Sequence, residues 1–157
     1  MMFREMRRKD RQADEATIDK LITNGEYGII STTGENGYAY GVPVNFVYSD
    51  GSIYFHCAKD GQKLDNINYN NKVCFTIVGA TKVLPDKFST VYDSVIVFAK
   101  AYIVDDENEA NEALKKLIEK YSPDFLNEGL EYIARSARHT AVVKLEIVRV
   151  TGKSREE

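Results

Sequence analysis

Six stretches of the chain are rich in β-branched and aromatic residues, and each is bounded by turn-forming residues. They cover residues 27–33, 38–48, 52–57, 72–83, 90–104 and 141–150, and they predict six strands. Gly34-Glu35-Asn36-Gly37 separates the first two, and Ser49-Asp50-Gly51 separates the second from the third. Connections this short predict hairpins, so the first three strands should be antiparallel neighbours. Apolar residues recur at helical spacing elsewhere. Residues 14–24 read as a helix capped by Asp14 and stopped at Asn24-Gly25. A short helix over 62–69 uses Leu64 and Ile67. Asp106-Glu107-Asn108-Glu109 is a D-x-x-E capping signal, and it opens a helix whose buried stripe is Ala110, Ala113, Leu114, Leu117, Ile118 and Tyr121. Ser122-Pro123 starts a further helical piece running to about Ser136 and weakened at Gly129.

Strands joined by hairpins, with helices inserted between them, do not form alternating β-α-β units. The expected fold is mainly β with inserted helices, an antiparallel barrel of six strands whose closure removes exposed edges. The long 38–48 stretch carries Gly41 and Pro43 at its middle. Proline cannot donate to a ladder, so part of this strand must leave its edge unpaired, facing either solvent or a ligand.

At 157 residues one domain is expected, spanning 1–157 with residues 1–13 as an N-terminal arm. A net charge of −3 argues against nucleic acid as the main partner. The start lacks the apolar core of a secretory signal, and no apolar run reaches the ~20 residues that a membrane span needs. A cytoplasmic address, with no membrane contact, is the resulting expectation. Cys57 and Cys74 are the only cysteines, both within strand-like runs, and reduced buried thiols are expected. His56 and His139 are the only histidines, which excludes a three-histidine metal centre, and no metal site is expected. Phosphate-loop, dinucleotide and G-x-S-x-G signatures are missing from the sequence.

Several short segments stand in a telling order: Arg7-Arg8-Lys9-Asp10-Arg11, Val42-Pro43-Val44-Asn45-Phe46-Val47-Tyr48, Ile53-Tyr54-Phe55-His56, Gly61-Gln62-Lys63-Leu64, Tyr92-Asp93-Ser94-Val95 and Thr151-Gly152-Lys153. Together they resemble the nitroimidazole-resistance (5-nitroimidazole reductase) family, within the pyridoxamine 5′-phosphate-oxidase-like FMN-binding split barrels, over about residues 6 to 153. The resemblance implies a split-barrel homodimer with two flavin mononucleotide (FMN) sites at the subunit interface.

The chemistry of the residues can be set beside that implication. An FMN phosphate needs backbone N–H donors and a cation, and Gly61 and Lys63 stand where a loop feeds a helix. Without the resemblance, the same pair reads as a turn glycine and a solvated lysine. The pyrimidine edge of a flavin suits the backbone of an irregular strand, here Tyr40, Gly41, Val42, Pro43, Val44 and Asn45; the other reading is a bent peripheral strand. Phe55 and His56 end the facing strand. The resemblance places His56 near the ligand as the candidate catalytic group, positioning or protonating an acceptor, whereas a lone strand histidine is otherwise structural. Tyr92, Ser94 and Val95 match a segment expected to line the flavin pocket from a subunit interface; by themselves they are ordinary cross-strand packing. The basic run near the start reads as a solvated face or tail, or else as an arm packed near the cofactor.

The chain ends Arg155-Glu156-Glu157, unlike the Arg-Leu-x-Pro-type ending of true pyridoxamine-phosphate oxidases, so that activity is not expected. The expected function is an FMN-dependent reductase passing electrons to a small electron-poor acceptor such as a nitroimidazole. The alternatives are a split barrel using haem or a deazaflavin, and a non-catalytic flavin-binding sensor or carrier.

Overall fold

The computed structural model describes residues 3–157. Seven strands, not six, form one antiparallel sheet: β1 (Gly28–Thr33), β2 (Ala39–Val44), β3 (Val47–Ser49), β4 (Ser52–Ala58), β5 (Lys72–Leu84), β6 (Ser89–Ile103) and β7 (Thr140–Arg155). Their order across the sheet is β2-β1-β5-β6-β7-β4-β3. The extra strand arises because the 38–48 stretch is not continuous. It breaks at Asn45-Phe46, and its two halves pair at opposite ends of the sheet, β2 with β1 and β3 with β4. Both hairpins expected from the turn residues form, but the middle stretch is divided between them. The last strand also starts one residue earlier and runs to Arg155, while Arg138 and His139 lie in the 3-10 turn before it.

The sheet curls around one core without closing by hydrogen bonds. Ile30 of β1, Ile53 and Phe55 of β4, Phe75 and Ile77 of β5, Val95 and Val97 of β6 and Val143 and Leu145 of β7 all belong to the same buried cluster. Val42 and Val44 of β2 and Cys57 of β4 pack against that cluster from its margin. The two ends of the sheet therefore meet the same core, yet β2 and β4 share no ladder. The result is a half-barrel with a split, the form the family resemblance implies, rather than the closed barrel the strand pattern alone suggests.

Four helices cover the openings: α1 (Glu15–Asn24), α2 (Gln62–Tyr69), α3 (Glu107–Tyr121) and α4 (Leu126–Ser136). Asp14 caps α1 by accepting from the Thr17 N–H at 2.8 Å, and Asp106 caps α3 through the Glu109 N–H at 2.8 Å. Each bond satisfies one of the donors that a helix start leaves free. α1 packs its Leu21 and Ile22 into the main core. Its approach to β7 depends on Gly152, where a Cβ would meet Ile18 Cγ1 at 2.5 Å. α3 covers Tyr54 and Val142 with Ala113, Leu114 and Leu117, forming a second cluster outside the sheet. α4 runs unbroken through Gly129, contrary to the weakening expected there.

The arm is not a solvated tail. Lys9–Arg11 forms a 3-10 turn, Gln12 bridges to Lys153 of β7, and the Phe3 ring lies 4.8 Å from that of Phe98.

Candidate functional site

The break at Asn45-Phe46 creates two free backbone edges. β3 pairs with β4 only from Ser52 to Tyr54, so the edge of Phe55–Ala58 turned away from β7 has no partner strand. β2 ends the sheet, so its edge turned away from β1 has none either. Most residues on these edges are exposed, and the two edges flank the split from both sides. Tyr40, Gly41, Val42, Pro43 and Val44 lie along one rim; Phe55 and His56 lie along the other. Gly41 is open on its outer side, with Ile29 Cγ2 and Ser31 Oγ each 3.4 Å from where a Cβ would stand. Nothing inside the chain crowds a side chain out of that position.

α2 begins just beyond the second rim. Gly61 adopts φ 150° and ψ 170°, a region only glycine enters without strain. A Cβ there would meet nothing within 4 Å, so the surface is open. No side chain caps α2. Its first N–H groups therefore stay free for an anion, with Lys63 half-buried at the same turn and Lys59 exposed nearby. Lys63 makes no ion pair among the described residues. Burial pushes the Cys57 thiol up, and the Lys63 ammonium pulls partly against it. Asn66 fixes the helix to β1 by donating to the Thr32 hydroxyl at 3.0 Å.

The side chains of the other expected residues are directed elsewhere. Phe55 is fully buried in the core, so only its backbone lies on the rim. His56 stands opposite Val142 on the face it shares with Tyr54, where α3 also packs. It keeps an exposed surface, while burial of the rest pulls its pKa below the ordinary histidine value. Asn45 is already engaged, donating to the Glu26 carbonyl at 3.0 Å. Val95 is fully buried, and its side chain turns into the barrel. Tyr92 and Ser94 occupy the other face of β6, and β7 lies between β6 and β4. A single chain thus does not gather them with Lys63.

Sequence reasoning did not single out the company of Tyr92. Desolvation raises the Tyr92 phenol, but the neighbouring Arg11 and Lys153 cations together outweigh it and bring the phenol below its usual value. The Lys153 ammonium lies 5.9 Å from the Tyr92 ring centroid. Arg11 and Lys153 become neighbours only because Gln12 bridges to β7, a contact with no signal in the local sequence. On the same outer face run two rows across five strands: Pro43, Ile29, Thr76, Ile96 and Thr151, then Gly41, Ser31, Cys74, Phe98 and Arg149. Arg149 is the one charged residue of these ten.

No helix among the described residues is long and apolar enough to cross a membrane.

The fold recurs in solved structures. A candidate 5-nitroimidazole antibiotic resistance protein from Bacteroides thetaiotaomicron superposes with a TM-score of 0.72 at 25% identity, covering 89% of this chain and 83% of that one. The flavocytochrome Anf3 from Azotobacter vinelandii gives 0.81 at 19% identity, over 98% and 73%. The FAD and heme binding protein from Mycobacterium smegmatis gives 0.74 at 15% identity, over 94% and 74%. Among curated proteins, none matches this chain. The family model described as pyridoxamine 5′-phosphate oxidase matches residues 14–154. With its half-barrel, its split edges and this match over nearly its whole length, the chain belongs to the pyridoxamine 5′-phosphate oxidase-like family.

Proposed function

We propose that this protein is a flavoprotein that binds FMN in the split, at the interface of a homodimer, and delivers electrons to a small electron-poor acceptor such as a nitroimidazole. What supports the reading is two backbone edges without a partner strand, β2 and Phe55–Ala58, the second leading to the uncapped, Gly61-led start of α2 with Lys63 in its first turn. This donor set fits an FMN phosphate, which needs backbone N–H groups and a cation. The free edges fit the pyrimidine rim of a flavin, which presents both donors and acceptors.

A bound flavin would supply the redox chemistry; the chain supplies position, charge and exclusion of water. Lys63 and the first N–H groups of α2 hold the phosphate. The backbone of Gly41–Val44 and of Phe55–His56 orients the ring edge. His56, with its depressed pKa, is largely neutral near pH 7. It can accept a hydrogen bond from an acceptor molecule, or donate one, without bringing a full charge. Tyr92 and Ser94 reach a flavin only from a second copy of the chain. The outer rows of small and apolar residues, with Ile96 38% exposed and Val78, two residues past Thr76 on the same face of β5, 46% exposed, support that copy as the partner.

The similar structures named for flavin together with haem favour a second reading, in which the same groove takes FAD or haem. The absorption spectrum of the purified protein separates the two. A flavin spectrum, with FMN released on denaturation, supports the proposal; a Soret band, or colourless protein indifferent to added FMN, refutes it. Lys63→Glu should weaken FMN binding at least tenfold with the fold intact, and unchanged affinity would refute the phosphate assignment.

A further inference from the structure

The register of β3 on β4 pairs Val47 with Tyr54 and Tyr48 with Ile53. Carried one residue further, it would set Phe46 opposite Phe55 and zip β2 onto β4, closing the split. The pairing stops instead, and the backbone of Phe46 is taken by the last turn of α3. The Tyr121 hydroxyl accepts from the Phe46 N–H at 3.0 Å and donates to the Glu26 carbonyl at 2.7 Å, with the Phe46 carbonyl also 3.0 Å away. Lys120 Nζ donates to the Phe46 carbonyl at 2.8 Å and stands 3.8 Å from the centroid of the Phe46 ring. Asn45 ties the same bend to Glu26. Side chains from a helix thus pin both backbone groups of Phe46 at the point where β3 ends.

We propose that Lys120 and Tyr121 are positioning residues of the flavin groove: by engaging Phe46 they hold β2 away from β4 and set the spacing of the two rims. The proposal rests on the flavin reading above. The cost of the arrangement favours a positioning role over simple packing. A half-buried ammonium is expensive, and burial pushes Lys120 down to about 8. An apolar side chain would cover the Phe46 ring without that cost, but it would leave the Phe46 carbonyl only the Tyr121 hydroxyl, whose proton the Glu26 carbonyl also takes.

The test uses full-length protein carrying Tyr121→Phe, which removes one hydroxyl and keeps the ring, and separately Lys120→Met. Amide exchange is followed without ligand at Phe46, Gly41–Val44 and Phe55–Ala58. FMN affinity and the reduction potential of the bound flavin are measured alongside. In Tyr121→Phe, which alone removes the acceptor of the Phe46 N–H, exchange at Phe46 should quicken about tenfold, as expected for one lost hydrogen bond. FMN affinity should fall about fivefold or more, with a shifted potential and little change in the far-ultraviolet spectrum. Faster exchange with unaltered affinity and potential would make the contact merely structural and overturn the proposal, as would wild-type exchange at Phe46. If the wild-type protein itself fails to take FMN, the flavin reading falls. The hold on the split is then decided by the exchange rates alone, and unchanged rates at Phe46 and along both rims overturn it.

Discussion

Asn66 offers a measurement that needs no ligand. Its side chain is 2% exposed, bonded to the Thr32 hydroxyl at 3.0 Å, and accepts from Gln62 Nε2 at 2.9 Å. Thr32 is equally buried. Asn66→Ala removes both bonds and leaves the Thr32 hydroxyl without its partner inside the protein, a loss of about 1–3 kcal/mol. The space vacated between α2 and β1 adds about 1 kcal/mol, because packed surroundings collapse only in part. The expected total is about 2–4 kcal/mol, which in a domain of this size lowers Tm by roughly 5–15 °C. Urea denaturation followed by circular dichroism should show the midpoint falling with the slope unchanged. Thr32→Val in the same background supplies the control. If the two residues share one bond, the double variant should cost about 1 kcal/mol less than the two single variants summed. Strict additivity, or a loss below about 1 kcal/mol for Asn66→Ala, would refute this account of how α2 is anchored.

Ile96→Glu places a charge in the middle of the small-residue rows and should convert a dimer to monomer in sedimentation; a dimer that survives it must use another surface. Asp106→Ala removes the cap on α3 and should cost about 1 kcal/mol in denaturant melts; a change below a few tenths would refute the cap's contribution. Lys120 carries a pH signature. Its folded pKa of about 8 lies below the ordinary 10.5, so between these values the unfolded chain binds more protons and stability rises with pH. Wild type should therefore gain on Lys120→Met from pH 8 upward, by about 1 kcal/mol once partial exposure is discounted, and a gap that is flat with pH would contradict the burial of the ammonium.

The elements themselves were largely written in local residues. Asp14, Asp106 and the Gly-rich turns mark their own positions, because caps and turns are local chemistry. Pro43 and Gly41 likewise signalled that one edge would stay unpaired. The count of strands was not local. The break in 38–48 comes where the backbone of Phe46 meets Tyr121 and Lys120, which lie more than seventy residues further along the chain. The same limit explains the arm. Its basic run reads as solvated until Gln12 meets Lys153 and Phe3 meets Phe98. Inward or outward direction also separated the candidate site residues. Val95 and Ser94 are adjacent in sequence, yet one faces the core and the other the outer surface, which a motif match cannot distinguish.

A groove walled by main chain has a consequence for how such a protein diverges. Peptide edges present the same donors and acceptors whatever side chains they carry, so the binding frame survives extensive replacement of residues. The three structures described above share the fold at only 15–25% identity. In the flavin site proposed above, the constraint then falls on a few positions: a glycine able to adopt the backbone of Gly61, a cation at the next turn, and the groups proposed to keep the strands apart. Changes at the rims can retune what is held without rebuilding the frame, and new chemistry in such a scaffold needs few substitutions.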